Sequence, residues 1–381
     1  MNTGIYVHFF FCRQKCDYCD FYSIPLAKNT GTTISTYIEA LRKETGLLEE
    51  KLAKCFVDTI YLGGGTPTIM GADDVAGLLD IIRSTTMGVD VNAEITIECN
   101  PIDMNSEYIE KCVSAGINRV TLGLQTINQE HHRLIGRRGQ CPGIEVLQQF
   151  CDIEHIVHAV DIIAGIPGQG PEQFSHEIKQ VLHCGPEHLS LYMLTREEGT
   201  PFYNRFKPHE TWNDQQRDIF EEAIKIIKSY GYRHYEISNF ALPGYESRHN
   251  MKYWKYDPYI GLGPGAHSFF DGIRWYNRAD VKEYLQHPDT MQVIDSRNNL
   301  DMVVEYLLSG IRLLDGFYLE DITEKTGMEI PAPVYDSIRT LSVDDMLEID
   351  ESPVSGTLVR LTHEGIFQLD SIIYSLVQEL L

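Results

Sequence analysis

IYVHFFFCRQKCDYC, residues Ile5 to Cys19, joins a short apolar run to three cysteines in a C-x3-C-x2-C arrangement. The run Ile5–Phe9 reads as a strand, and the cysteine loop follows it directly. Thiolates are soft ligands, suited to iron–sulfur clusters or to zinc. A loop with three of them this close wraps one face of a cube-shaped cluster and leaves the fourth iron without a protein ligand. Zinc is the alternative, but structural zinc sites use four protein ligands, often in paired C-x2-C halves. No second pair is near, and the next cysteine, Cys55, stands alone in a helix-like stretch.

Outward from this loop, short apolar runs recur: Thr59–Leu62, Glu94–Cys99, Arg119–Leu124, His158–Ile163 and His188–Met193. Amphipathic stretches alternate with them, at Thr36–Glu49, Ala72–Ser84, Ser106–Ala115 and Pro171–His183. Such alternation predicts βαβ units and a parallel sheet. Six units are too few for a full eight-stranded barrel, so the expected fold is α/β, a partial (βα)6 TIM-like barrel with its chemistry at the carboxyl ends of the strands. After Trp212 the pattern changes, with a helix predicted over Asp214–Tyr230. The expected division is a core over 1–233, a connecting segment over 234–297 and a small C-terminal domain over 298–381. That last domain reads as mainly helical and winged-helix-like, with helices at Met302–Leu314, Leu319–Thr326 and His363–Leu381 and a β element near Met346–Leu361.

The chain has 381 residues, 43% of them hydrophobic, enough for a sizeable core. Its formal net charge of -23 argues against a nucleic-acid partner. The nine cysteines are odd in number, and neither a signal peptide nor a membrane-spanning stretch is recognisable, which points to a reducing, cytoplasmic setting. The six cysteines outside the loop read as small buried apolar residues.

Several motifs fall at the predicted strand ends. YLGGGTPT offers Gly64, Gly65 and Thr66, where consecutive glycines let backbone approach a ligand. ITIECNP places Glu98 near the end of the third strand, RVTLGLQT places Gln125 after the fourth, and VDIIAGIPGQ places Asp161 on the fifth. Acidic and amide groups suit an ammonium and sugar hydroxyls, though each is equally at home as a buried hydrogen-bonding group. Arg137, in LIGRR, reads either as a partner for a carboxylate or as an exposed helix charge.

The cysteine spacing and the glycine motif together resemble the radical S-adenosylmethionine (SAM) superfamily. That resemblance implies a [4Fe-4S] cluster on Cys12, Cys16 and Cys19, with SAM on the open iron and its amino group against Gly64, Gly65 and Thr66. YVHFFFC is similar to the Y-V-H-I-P-F-C opening of the oxygen-independent coproporphyrinogen III oxidase family, with Phe9 and Phe10 replacing the usual Ile and Pro. Tyr6 then matches a tyrosine that contacts SAM, and Tyr18 the aromatic position before the third cysteine. YEISNFALPGYESRHNMKYW and YIGLGPGAHSF resemble the haem-chaperone branch, whose H-N-x-x-Y-W string stands here as His249, Asn250, Tyr253 and Trp254. Oxidases carry a further cysteine where Phe21 stands and a longer lead before the cluster, so both features favour the chaperone branch. The likeness runs from Tyr6 to about Phe269, and more weakly through LLSGIRLLDGF and LTHEGIFQLDSII.

The resemblance implies haem as a third ligand, with His249 as a possible axial ligand and Tyr253, Trp254, Tyr256 and Tyr259 as flat faces for a macrocycle. Packing at a domain junction is the other reading of His249 and Trp254. His267 reads as a SAM neighbour or a structural histidine. The implied partners are a haem-acceptor protein and an electron donor such as flavodoxin or ferredoxin, with membrane association only through a membrane-bound acceptor. The leading function is haem carriage. The competing ones are coproporphyrinogen oxidation, another radical SAM reaction on tetrapyrroles, and a zinc-stabilised binding protein.

Overall fold

In the computed structural model, which describes residues 1–26, 33–290, 292–354, 356–378 and 380, each of the six apolar runs is a strand. They are β1 (Asn2–Phe9), β2 (Phe56–Gly64), β3 (Gly88–Cys99), β4 (Arg119–Gln125), β5 (Val157–Ala164) and β6 (His188–Met193). All five neighbouring pairs are parallel and follow chain order. The crossovers carry α1 (Ile34–Leu47), α2 (Ala72–Thr85), α3 (Ser106–Ala115), α4 (Gln129–Leu134), α5 (Ile144–Cys151) and α6 (Pro171–His183). This is the expected α/β arrangement of six strand–helix units. Helices α4 and α5 have no counterpart in the sequence reading, because each is under three turns, too short for a periodic pattern to stand out. The predicted helix over Asp214–Tyr230 is α7 (Trp212–Ser229).

Strand alternation sorts the side chains by face. Ile5, Val7, Ile60, Leu62, Ile97, Val120, Leu122, Leu189 and Leu191 are buried, as are helix residues Leu41, Leu79, Ile82, Ile109, Leu147, Ile178 and Val181. The residues between them on the strands are largely polar and also buried: His8, Thr59, Glu94, Thr96, Arg119, Thr121, His188 and Ser190. A buried polar face needs internal partners, and those partners build the site below.

The structure divides into two compact units. The first holds Met1–Arg233, Phe240–His249 and Pro258–Ile294. The second holds His234–Asn239, Asn250–Asp257 and Asp295–Leu381. The stretch 234–297 is therefore no body of its own. Much of it extends the sheet: β7 (Tyr259–Leu262) pairs parallel with β1, and β8 (His267–Phe270), β9 (Ile273–Asn277) and β10 (Gln292–Ile294) follow as antiparallel neighbours. Without β7, the backbone of β1 would stand as an open edge.

In the second unit, helices Asn299–Gly310, Leu319–Thr326, Ala332–Val343, His363–Phe367 and Leu369–Val377 accompany a three-stranded antiparallel sheet of Phe317–Tyr318, Gly356–Leu361 and Leu347–Ser352. The helix expected over His363–Leu381 is broken at Gln368, and residues 379 and 381 lie outside the described ones. Ala332–Val343 has no counterpart in the sequence reading; Pro331 and Pro333 flank its first residue and mask its start. Among the described residues, no helix is long and apolar enough to cross a membrane.

Candidate cofactor site at the strand ends

The cysteine loop leaves β1 and is pinned from several sides. Asp17 N donates to Ile135 O at 3.2 Å, Phe202 N donates to Asp17 O at 2.8 Å, and Gln14 Nε2 donates to Gly136 O at 3.1 Å. Arg205 Nη1 bonds Asp17 Oδ2 at 2.6 Å, and Arg13 pairs with Asp103. Tyr18 packs on the buried cluster of Ile135, Ile163, Ile166, Leu194 and Phe202. The loop is thereby held against the ends of β5 and β6 and the segment after α4.

Its three thiols sit within electrostatic reach of one another. Burial pushes the Cys19 thiol up to about 11, and the neighbouring Cys16 and Cys12 add to that rise. Burial likewise raises Cys12, against which Thr66 Oγ1 lies at 3.8 Å. Among the described residues, no three His, Cys, Asp or Glu side chains are drawn together as ligands of one ion. Three soft donors on a single loop, each free to take its own iron, suit a cluster core. The core's positive charge would offset the cost of ionising three close thiols. Phe21, at the position where a further thiol would stand, is 64% exposed. The other cysteines are buried or half-buried free thiols, as expected.

The glycine turn at the end of β2 locks onto the end of β1. Gly65 N donates to Phe9 O at 2.5 Å, and Thr66 N donates to Phe11 O at 2.7 Å. Gly64 adopts φ +105°, a conformation L side chains rarely accept. Its amide donates to Glu98 Oε2 at 3.0 Å, while Tyr61 Oη donates to Glu98 Oε1 at 2.9 Å. Thus Gly64, Gly65, Thr66 and Glu98 do come together beside Cys12. His8, which the sequence reading missed, shares the site: its Nε2 donates to Tyr22 O at 2.8 Å, and its Nδ1 lies 3.0 Å from Tyr6 Oη. Burial lowers the His8 pKa, so the neutral ring accepts from the Tyr6 hydroxyl. His267 opens β8, stacks on Tyr276 at 5.3 Å, and lies within electrostatic reach of His8.

Asp161 completes the acidic side. It is half-buried on the sheet's polar face, supported by Ser190, and its buried Oδ1 has no hydrogen-bond partner among the described residues. An orphaned buried carboxylate oxygen calls for a donor, which a bound ligand's hydroxyl or ammonium would supply. Gln125 ends β4 at φ +69°, just past a register shift in the β4–β5 pairing that re-aims the chain there. Arg137 is not an exposed helix charge: it is half-buried just past α4, within electrostatic reach of the Asp161 carboxylate. Its Nη1 donates to Gly123 O at 2.7 Å and Leu124 O at 3.2 Å, and its guanidinium also bonds Cys16.

His249 stands apart from the strand ends. Its side chain is 1% exposed, with Nδ1 hydrogen-bonded to Thr59 Oγ1 at 2.8 Å. Tyr256 and Tyr259 are buried too, and Tyr256 Oη donates to Glu305 Oε2 at 2.7 Å. Trp254 carries the Arg312 guanidinium 4.5 Å from its ring.

Two site carboxyls are tuned upward. Burial, with the Asp161 charge adding, lifts Glu98 from 4.5 to about 7. Burial lifts Asp161 from 3.8 to about 6, against the pull of Ser190, Arg119 and Arg137. The native state then holds more protons than the unfolded chain across that window, so stability falls as pH rises from about 4 to about 7. Each group contributes roughly 3 kcal/mol at full effect. Glu98→Gln is expected to remove its share, so that its urea midpoint without ligand gains on wild type at pH 7.5 relative to pH 5. A parallel pH dependence in the two proteins would refute this.

Residues 6–181 match the family model described as the radical SAM superfamily. Three cysteines on a loop after the first strand of a parallel six-unit α/β sheet define a protein of that class. The chain is 34% identical over 338 residues to "Heme chaperone HemW" of Lactococcus lactis, covering 85% of both chains. It is 29% identical over 372 residues to the protein of that name from Bacillus subtilis, covering 94% and 95%, and 30% identical over 337 residues to that from Escherichia coli K12, covering 85% and 86%. The chain belongs to the HemW family. Among solved structures, it resembles Escherichia coli coproporphyrinogen III oxidase (HemN) with TM-score 0.82, covering 98% of this chain and 90% of that one. At 20% identity, that likeness is one of fold. Membership of the superfamily implies SAM and a [4Fe-4S] cluster.

Proposed function

We propose that this chain carries haem and hands it to an acceptor protein, with a [4Fe-4S] cluster and SAM at the strand ends supporting the transfer. The observation that carries the reading is kinship over most of the chain with proteins named haem chaperones. The loop that continues to an exposed Phe21 instead of a further thiol also supports it. Cys12, Cys16 and Cys19 would hold the cluster. When bound, the cluster and SAM supply one-electron chemistry.

The remaining residues bind and orient. Gly64, Gly65 and Thr66 present backbone to the amino-acid end of SAM, and Glu98 accepts from its ammonium. Asp161 and Gln125 meet the sugar hydroxyls. Tyr6 and His8 wall the site, while Tyr18 and Arg137 hold the cysteine loop in place. Electrons would come from a flavodoxin- or ferredoxin-like donor in the cytoplasm.

Anaerobically reconstituted protein titrated with haem is expected to saturate at one haem per chain and to release it to an acceptor, leaving the porphyrin unaltered. Failure to bind haem would overturn the reading. The resemblance of YVHFFFC to the oxidase opening leaves coproporphyrinogen III oxidation as the second reading. Under that alternative, the same preparation with SAM and reductant would convert coproporphyrinogen III to protoporphyrinogen IX; none is expected.

A further inference from the structure

We infer that His249 is a positioning residue, tying the floor of the SAM site to the first turn of the helix that bears the H-N-x-x-Y-W string, and is not a ligand of haem iron. Only the statement about haem rests on the haem-carrier reading.

The helix, α8 (Arg248–Trp254), begins at a buried carboxylate from the sheet. Glu94 Oε1 accepts from His249 N at 2.9 Å, and Glu94 Oε2 accepts from Arg248 N at 3.1 Å. Arg119 lies 3.8 Å from the same carboxylate and donates to Tyr245 O at 3.0 Å, so the charge of Glu94 is balanced where it sits. These bonds set the backbone of residues 248 and 249 on the polar face of β3 and β4.

The imidazole then reaches along that face toward the cofactor site. Its Nδ1 shares a hydrogen bond with Thr59. Its ring stacks on Tyr61, centroids 5.3 Å apart at 30°, and lies 6.4 Å from the Tyr6 ring. Tyr61 in turn donates to Glu98, which accepts from Gly64 N. Contact is therefore unbroken from the glycine turn, through Glu98 and Tyr61, to His249 and the start of α8. Every second residue of β2 takes part, since Thr59, Tyr61 and Gly63 share one face.

Iron ligation asks something different of a histidine. The ring must project a nitrogen toward an open space large enough for the edge or face of a macrocycle. Here the ring is sandwiched among Thr59, Tyr61 and Tyr6, and the backbone that would have to move is bonded to Glu94 through two amides. Bringing the ring out would break the Thr59 bond and strip Glu94 of its donors. An aromatic ring wedged under a ligand site, by contrast, fixes the ring above it, and Tyr61 is what holds Glu98 in place.

Two variants separate the roles. His249→Asn keeps a side-chain hydrogen-bonding group near Thr59 but cannot supply imidazole to iron. Thr59→Val keeps the imidazole and removes its anchor. The readouts are the SAM dissociation constant by calorimetry, the haem-iron ligand signature by electron paramagnetic resonance, and thermal unfolding as a check on folding. His249→Asn is expected to keep the wild-type haem signature and, having lost the ring that packs on Tyr61, to weaken SAM binding about fivefold or more. Thr59→Val is expected to weaken SAM binding about fivefold or more. Loss of a histidine signature in His249→Asn, with SAM affinity intact, would make His249 a ligand and overturn the inference. So would unchanged SAM affinity in Thr59→Val. Should wild-type protein bind no haem, the carrier reading fails by itself, and the SAM measurements still decide the positioning role.

Discussion

Anaerobically reconstituted Cys16→Ala protein is expected to hold no stable iron–sulfur cluster, where wild type holds about four irons and matching sulfide per chain. Cys16 is the middle thiol of the loop, and its carbonyl receives Cys19 N at 3.3 Å, so it organises the turn as well as supplying a ligand. Its loss leaves two thiolates, which cannot retain three irons of a cube. The loop itself should survive, because Asp17, Gln14 and Tyr18 anchor it through contacts that do not involve the Cys16 sulfur. Haem binding should therefore be largely retained. Iron and sulfide analysis, with a parallel haem titration, checks both halves. A variant that kept four irons would show that the cluster rests on other ligands, and one that also lost haem would tie the two sites together.

The second large effect belongs to Gly65→Ala. A Cβ there would lie 2.3 Å from Phe11 O and 2.7 Å from Phe9 O. These are backbone atoms of the cysteine loop's own stem, and they already accept from Thr66 N and Gly65 N. Neither can swing aside like the end of a flexible side chain. The clash should cost about 3 kcal/mol or more, at the upper end for overpacking. Because it falls where the glycine turn meets the cysteine loop, SAM affinity should drop by about a hundredfold or more. Gly77→Ala is the control. It lies in α2 with nothing within 4 Å, and should stabilise by up to about 1 kcal/mol through helix propensity. Calorimetric SAM titration and thermal unfolding of both variants test the pair. Wild-type SAM binding by Gly65→Ala would show that the turn is not where SAM is held.

The contrast between these glycines shows how much was legible before folding. The triple-glycine turn after a strand marked a place where backbone approaches something. That judgement needed neighbours in sequence alone. The polar rows on the strands carried a signal that could have been read further. Tyr6 and His8, Thr59 and Tyr61, Glu94 and Glu98 each step by whole strand periods, and the structure gathers them on one face, with His8, Thr59 and Glu94 buried and the others half-buried. His8, Tyr61 and Thr59 were missed because an isolated aromatic or threonine in an apolar run looks like ordinary core.

Sequence alone determined the three cysteines, the glycine turn, the six strands with most of their helices, and the kinship that names the family. These depend on residues close together in the chain, where spacing and periodicity act directly. Tertiary structure decided where His249 points, that Arg137 bonds the Gly123 and Leu124 carbonyls and Cys16, and that the stretch 234–297 is shared between two units. Thr59 and His249 are 190 positions apart. A pairing across that distance is settled by which buried polar groups must satisfy one another once the sheet has formed, and no local pattern encodes it.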